Sequence, residues 1–579
     1  MILLFGGTTE GRKAITELEE AGQVFYYSTK TGEQDVPLHH GMAVQGAMDA
    51  GAMTAFCREH DIRLLIDAAH PFAAQLHQTV ADVAVSMGIP AIRFERLYPE
   101  RDSSLVWCDD FQDAVNRFSE QSLLATTGVQ TIGLLQPLEK RGVKMWYRIL
   151  PRQSSIALAK RQGATDGQLC FYQEDEDDTA LFRRLRPEAV IMKESGLSGG
   201  FVDKVNAAQQ SGIKVYVVKR PPVSDVFHTV NGEHGLRRMV ERLLPEFYPL
   251  QSGLTTGTYA TAAAVAQTRR LFHDEMPSEV PVVLPNGETI MVGVGYGDDY
   301  AFAKKVSGDD PDVTDGIEIR ANIRPADSFC VKGGEGVGII TLPGFDYPPG
   351  EAAINRVPRE MLRRNIQEEV EVTISVPEGR EIARRTFNPR LGIVDGISII
   401  GVSGIIKPFS EEAFIDSIRK CMEVAKASGS PRVVINSGAK SERFVKALYP
   451  DLPMQAFVEY GNYIGETLKF AAELHIPSVT LGVMMGKAVK LAAGQLDTHS
   501  RRGTMDKDFI HSMLLEAGCH VNIDAMTLAR ELWSLIPSEK IPGFCRTVIR
   551  HCLDHCKPLY PNGDLTILLI DEDGKVYGC

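Results

Sequence analysis

At 579 residues the chain is too long for one ordinary core and should divide into about three or four domains. With 44% hydrophobic and 24% charged residues it has the composition of a soluble globular protein, and a net charge of -13 argues against nucleic acid or an anionic membrane as its main partner, while leaving room for a local basic pocket. Ten cysteines without a paired framework suit a reducing compartment; "MILLF" carries no basic lead and stops at Gly6, far short of an export signal or a membrane span, so a cytoplasmic location is expected.

In chain order, "MILLF", "RLLIDAA", "SLLATTG", "AVIMKES" and "KVYVVKRP" read as buried strands. Amphipathic stretches such as "RKAITELEEAG" and "FVDKVNAAQQSG" separate them, the signature of parallel sheets covered by helices. Two such units fit into the first 245 or so residues. The opening turn places glycines at Gly6, Gly7 and Gly11, with Thr8, Thr9 and Glu10 between them, so it is not the G-x-G-x-x-G dinucleotide fingerprint. It reads either as an anion-binding strand-to-helix turn or as a plain tight one. Further strand ends carry chemistry: Asp67 and His70 with Pro71, then Thr126, Thr127 and Gly128, then Arg148, then Lys193 to Gly196, Lys204 and Arg220. Their gathering at the ligand-binding ends of strands is hard to explain by folding alone.

The pattern restarts near Leu250, where "SGLTTGT" leads into an Ala-rich helix. A hairpin is expected around Asn286 and Gly287, strands continue from Val280, and mixed α/β texture returns after about Ile393. Asp309, Asp310, Asp312 and Asp315 invite a calcium loop, but Gly316 falls seventh rather than sixth from Asp310, so a polar turn or a substrate-facing loop is the better reading. The glycine run "GGEGVG" reads as a ligand wrap or as a hairpin corner. Arg359, Arg363, Arg364, Arg384, Arg385 and Arg390 concentrate positive charge near Asn388; guanidinium forks there suit carboxylates, and a solvated face is the plain alternative. In "CRTVIRHCLDHC", His551 with His555 and Cys552 with Cys556 have zinc-like spacing, but a buried terminal helix is favoured, and no protein-bound metal is expected.

"LLFGGTTEGR", "IDAAHPFA", "ATTG", "RILP", "KESG" and "VVKRP" together resemble precorrin-6A reductase over residues 1 to 245. The resemblance implies two Rossmann-like domains with a reduced nicotinamide cofactor between them, delivering hydride to a macrocycle; where the family usually has Thr, this chain has Ala69. "GLTTGTYATAA", "GDDPDVTDGIEI", "GGEGVGIITLPG", "AAINRVPREM", "TFNPRLGIVDGISIIGVSGI", "EYGNYIGETL" and "AAGQLDTHS" resemble cobalt-precorrin-5B methyltransferase from about Gly253 onwards. That resemblance implies methyl transfer from S-adenosylmethionine to carbon 1 of the ring; the extra residues in "THSRRGTMDKDFI" set the region of His499 apart from the family pattern.

The expected architecture is therefore α/β, two Rossmann-like parallel-sheet domains in a module of residues 1–248, followed by an α+β plus α/β module of residues 252–579. The expected cofactors are S-adenosylmethionine and NADH or NADPH, with cobalt present only inside the substrate. Small cobalt-corrinoid intermediates are the expected partners, with neighbouring enzymes of that pathway and a second copy of the chain as further candidates. Gly6, Gly7, Thr8, Glu10, Gly11, Thr127 and Gly128 are the candidate nicotinamide contacts, and His70, Arg148, Lys193 and Lys204 the candidate catalytic groups. Thr256, Asp312, Glu335, Arg359, Asn388 and Arg390 are the candidate tetrapyrrole-binding residues. A non-catalytic tetrapyrrole carrier, or a chain with only its reductase half active, is the alternative that turnover would separate.

Overall fold

The computed structural model describes residues 1–30, 32, 36–173, 177–499 and 505–578. By contact, the chain forms a first unit of Met1–Gln251 with Asn286–Ile290, and a second of Ser252–Pro285 with Met291–Cys579.

The first unit contains two six-stranded parallel sheets. In one, Ile2–Phe5 lies between Phe25–Thr29 and Leu64–Asp67, with Gly41–Gln45 at one edge and Ala91–Glu95 then Phe227–Asn231 at the other. In the other, Ser122–Ala125 lies between Lys144–Ile149 and Ala189–Lys193, flanked by Leu169–Phe171 on one side and by Lys214–Val218 then Val106–Cys108 on the other. The expected strands thus form, and the alternation of strand and helix does produce parallel sheets. Each is a short apolar run because helices cover both faces and neither face meets water. The strand Phe227–Asn231 joins the first sheet only after the second is complete, so the returning chain closes it.

The helix Thr9–Glu19 starts where the Thr8 hydroxyl accepts from the Gly11 N–H, and it buries Ala14, Ile15 and Leu18 against the sheet. Within the same unit, the Glu288 carboxylate accepts from the N–H groups of His234 and Gly235 at the start of the helix Glu233–Leu243.

The second unit opens with the helix Thr256–His273, capped by Thr255 and buried over most of its length. Its alanines let it lie closely on a five-stranded sheet in the order Gly295–Tyr296, Ala301–Lys304, Glu318–Pro325, Val370–Ser375 and Cys330–Gly333. The pairings in this sheet are antiparallel except for the last. Glu279–Val283 and Thr289–Gly293 pair on either side of the expected turn, where Gly287 has φ +88°. Regular α/β structure resumes only at the helix Glu411–Ala427, later than expected, because residues 395–404 are a glycine-rich segment threaded between other backbones. From there a second sheet runs Phe457–Glu459, Val433–Asn436, Ser478–Met484 and Asp564–Ile570 in parallel, ending in the antiparallel strand Val576–Gly578.

Among the described residues no helix is long and apolar enough to cross a membrane, and the described cysteines are free thiols. The helix Ile541–Cys556 buries Cys552 and Cys556 in the core while His551 pairs with Glu516, so the zinc-like spacing does not converge on one point. Residues 500–504, within the "THSRRGTMDKDFI" stretch, lie outside the described residues.

Candidate functional site

In the first unit, both sheets reverse their strand order once. The reversal falls between Ile2–Phe5 and Leu64–Asp67 in one sheet and between Ser122–Ala125 and Ala189–Lys193 in the other. Crossovers diverge to opposite faces at such a point and leave a crevice beyond the carboxyl ends of the strands. Residues 6–8 and 68–70 line the first crevice and residues 126–128 and 194–196 the second, so the strand ends singled out in the sequence are these two switch points.

Charged side chains tie the two crevices together. Arg96 donates to Glu10 at 2.9 Å and to the Ser195 carbonyl at 2.7 Å, and Ser198 donates to Glu10 from the other side. Burial alone would raise the Glu10 carboxyl, but Ser198 and Arg96 hold it below its ordinary range. Glu194 receives Arg101 and Arg220, each at 2.9 Å. Glu10, expected to touch the cofactor, thus spends its carboxylate on joining the crevices. The adjoining cavity of about 200 Å³ has Glu10, Glu95, Glu233 and Glu288 in its lining against Lys13 and Arg96, a balance that repels a polyanion.

A buried network stiffens the loop that carries His70. Asp67, fully buried, accepts from the Ala69 N–H at 3.0 Å and from Arg93 at 2.8 Å, and contacts the His77 ring at 2.5 Å. Arg93 also donates to the Ala69 carbonyl at 2.9 Å and pairs with Glu95. Sequence reasoning named Asp67 but missed Arg93 and Arg96. The available signal was two arginines and a glutamate within "AIRFERL", charge placed where a buried strand should be apolar.

The glycines of the opening turn differ in kind. A Cβ on Gly6 would stand 2.2 Å from the Tyr27 ring, and one on Gly11 would stand 2.9 Å from the Gly6 Cα, so both are glycine for internal packing. Gly7 at φ +95° and Gly128 at φ +83° have nothing within 4 Å of the Cβ direction. They are the places in the two crevices where bare backbone faces open space, which fits the close approach of a nucleotide-type ligand. The hydroxyl of Thr8 is occupied as the helix cap and by the Ala68 carbonyl at 2.7 Å, and that of Thr127 by Thr131 at 2.6 Å.

The four candidate catalytic groups form two pairs. His70 Nδ1 accepts from the Phe72 N–H at 3.2 Å, which places the ring proton on Nε2. Burial and the nearby cations Arg96 and Lys193 push its pKa down to about 4, so the ring is neutral. Lys193 lies 5.0 Å from the centre of the Phe72 ring, and burial lowers its pKa to about 8. Arg148 and Lys204 cluster instead around Asp178: Arg148 is ion-paired with it and stacked 5.0 Å from the centre of Tyr172, while Lys204 donates to the Gly199 carbonyl at 3.3 Å. The Nε of Arg148 is buried without a hydrogen-bond partner.

In the second unit, most of the tetrapyrrole candidates are taken up by the protein itself. The Thr256 hydroxyl donates to the Ser398 and Ile400 carbonyls and accepts from the Ile400 N–H at 2.8 Å. Asn388 is buried, donating to the Gly396 carbonyl at 2.9 Å and accepting from Ser398 at 3.1 Å. The Glu335 carbonyl accepts from the Val376 N–H at 2.7 Å. Asp312 pairs with buried Lys305 at 2.7 Å; burial would raise its carboxyl, but Lys305 and Thr314 hold it low. The glycine run wraps protein rather than open space: a Cβ on Gly336 would lie 1.8 Å from the Val376 carbonyl oxygen, and Gly379 and Gly396 close on Gly336 in the same way. Arg359 pairs with Glu351 and lies 4.1 Å from the centre of Tyr347. Arg390 lies apart, paired with Glu442 at 2.8 Å in the C-terminal α/β layer.

Paired switch points bridged by charge, with an open glycine in each, mark the first unit as an α/β module of two parallel sheets. The family model described as precorrin-6x reductase CbiJ/CobK matches residues 1–235, and that described as CbiD matches residues 245–408. A cobalt-precorrin-5B C(1)-methyltransferase of Prosthecochloris aestuarii is 38% identical over 361 residues, covering 57% of this chain and 97% of that protein. A solved structure of the cobalamin biosynthesis protein CbiD from Archaeoglobus fulgidus is 28% identical, covering 47% of this chain and 85% of that one with a TM-score of 0.26. One of the CobK precorrin-6A reductase is 20% identical over 42% of this chain and 96% of that one, with a TM-score of 0.35. The chain belongs to the cobalt-precorrin-5B C(1)-methyltransferase family and carries, ahead of that module, a precorrin-6A reductase of the CbiJ/CobK family, so that it joins a methyltransferase and an oxidoreductase of cobalamin biosynthesis.

Proposed function

We propose that the two halves catalyse consecutive steps. Residues 252–579 transfer the methyl group of S-adenosylmethionine to carbon 1 of cobalt-precorrin-5B, and residues 1–248 reduce the resulting cobalt-precorrin-6A to cobalt-precorrin-6B with NADH or NADPH. The observation that carries this reading is the presence of both family matches in one chain, because the product of the first named reaction is the substrate of the second. In the methyl transfer, the electron pair of the ring carbon attacks the methyl group and the carbon–sulfur bond breaks onto sulfur, so no protein nucleophile is needed; the protein aligns the partners in a dry cleft.

In the reductase half, Gly7, its N–H held by Tyr27, and Gly128 would let the dinucleotide approach the backbone closely, and the reduced nicotinamide supplies the hydride when bound. Lys193, a cation without an anionic partner at a switch point, donates the proton that completes the addition or holds a substrate carboxylate. His70 presents a neutral Nε2–H beside it. Arg148 and Lys204 orient a carboxylate arm of the macrocycle, a role in keeping with the unpartnered Arg148 Nε. The test is anaerobic incubation of the full chain with cobalt-precorrin-5B and S-adenosylmethionine, with and without NADH or NADPH, read by product mass. Gain of one methylene, followed by two hydrogens only with reduced nicotinamide, is the expected result. Substrate bound but unchanged beside a working control enzyme would overturn the reading in favour of a carrier.

A further inference from the structure

The tetrapyrrole candidates leave the methyl donor without a place, and the C-terminal α/β layer offers one. Numbered in chain order, its parallel strands lie 2-1-3-4, so the order reverses between Val433–Asn436 and Ser478–Met484, a third switch point. The first strand runs into Ser437 and Gly438, the latter at φ +138°. The neighbouring strand ends on Glu459, roughly twenty residues further along, the position from which an acid takes the ribose hydroxyls of a nucleotide bound at such a turn. The Glu459 carboxylate lies 3.3 Å from where a Cβ on Gly438 would stand and has no hydrogen-bond or ion-pair partner among the described residues. Beside it is a narrow slot of about 10 Å³, room for about one water molecule, walled by Phe387, Phe414 and Phe457, with Arg390 also in its lining. Phe457 is buried and Phe387 is 43% exposed, so the slot opens to solvent on the Phe387 side. Aromatic faces at the mouth of the slot, next to a carboxylate without an ion-pair partner among the described residues, suit a purine nucleoside lying across them.

The turn also discriminates between nucleotides. The Ser437 N–H is used by Ser441 and the Gly438 N–H by Asn436, each at 3.0 Å, so neither is available to cradle a phosphate, and Glu442 and Glu459 stand near. Such a turn favours a nucleoside without phosphates over a nucleotide. Across the switch point, Lys487 follows the strand Ser478–Met484, lies 5.4 Å from the centre of the Tyr460 ring and donates to the Gly461 carbonyl; it is a cation close enough to feel the charge of Glu459.

We infer that S-adenosylmethionine binds at this switch point, with adenine over the solvent-facing side chains of Phe387 and Phe414, the ribose hydroxyls on Glu459 and the amino-acid end towards Lys487. The inference rests on the methyltransferase reading given above and adds where the donor sits. It is tested by equilibrium binding of S-adenosylhomocysteine and its 2′-deoxyribose analogue to the full chain and to its Glu459→Gln and Phe414→Leu variants, with circular dichroism and nicotinamide-dependent reduction as controls. Glu459→Gln should weaken S-adenosylhomocysteine binding by about 10- to 100-fold and abolish the preference for the intact ribose. As a second readout independent of any variant, ultraviolet cross-linking of methyl-labelled S-adenosylmethionine to the unmodified chain should label a peptide containing Phe387 or Phe414. Tight binding that both folded variants retain, or label confined to other peptides, overturns the location and leaves the methyltransferase reading standing. An unmodified chain that neither binds the donor nor methylates the ring overturns both.

Discussion

Glycines of the first unit's two crevices and those of the second unit's glycine run are used in opposite ways. Gly7 and Gly128 adopt positive φ at switch points where the Cβ direction is open. Gly336, Gly379 and Gly396 bring three backbone segments so close that a methyl group on any of them would lie 1.8, 2.1 and 2.2 Å, respectively, from a carbonyl oxygen. The first pattern bares backbone to a ligand and the second bares it to another stretch of the same chain. A glycine-rich motif therefore marks close approach without saying what approaches. Polar side chains divide in a similar way, though not by unit: Thr256 and Asn388 satisfy buried carbonyls, whereas Lys193 and Glu459 stand at strand ends without an ion-pair partner among the described residues.

The sharpest way to break this contrast is to ask what holds the open turn rigid. Arg93→Met leaves the buried carboxylates of Asp67 and Glu95 without their cation and should cost about 3–5 kcal/mol of stability, read as a lowered urea midpoint for the first unit. A loss below about 1 kcal/mol would show that the loop carrying His70 is held by other means.

Next in size, Gly336→Ala should destabilise the second unit by about 3 kcal/mol, since carbonyl groups rather than a flexible side chain must yield. Gly7→Ala should cost only about 1–2 kcal/mol of backbone strain and yet weaken nicotinamide binding. Equal losses of stability in the two variants would erase the distinction between them.

The reductase pH profile sharpens the comparison further. Because burial lowers Lys193, its charged form is present below about pH 8 and lost above it, so kcat/KM for reduction should fall as pH rises through that value. Lys193→Met should lower kcat/KM about 100-fold and remove the inflection. His70, with its pKa near 4, should add no inflection between about pH 5 and 7. An alkaline limb that survives in Lys193→Met would assign it to another group.

The smallest effect is expected for Tyr27→Phe, which removes the hydroxyl that accepts from the Gly7 N–H at 3.0 Å. It should cost about 1 kcal/mol and raise KM for the nicotinamide with kcat unchanged. A fall in kcat instead would mean that the turn acts in the chemical step.

Much of the first unit was legible in the sequence because its signals are local. A four-residue apolar run, a capping threonine three residues before the N–H it accepts from, and a glycine at a strand end each act within a few positions, so "MILLFGGTTEGR" predicts strand, turn and helix by itself. The motifs that mark the two enzyme families are local in the same sense. What only the tertiary structure decided is non-local. The strand Phe227–Asn231 closes a sheet begun more than two hundred residues earlier; Glu10 is consumed by Arg96 and Ser198; the glycine run meets Gly379 and Gly396; and Glu459 comes to rest beside Gly438. The physical reason is that a backbone hydrogen bond or a cap is set by neighbouring dihedral angles, whereas the partner of a buried charge or a bare glycine is set by which distant segment the fold returns to the same place. The sequence by itself thus determined which residues were available for chemistry in the first unit, and the tertiary structure decided which of them remain free to perform it.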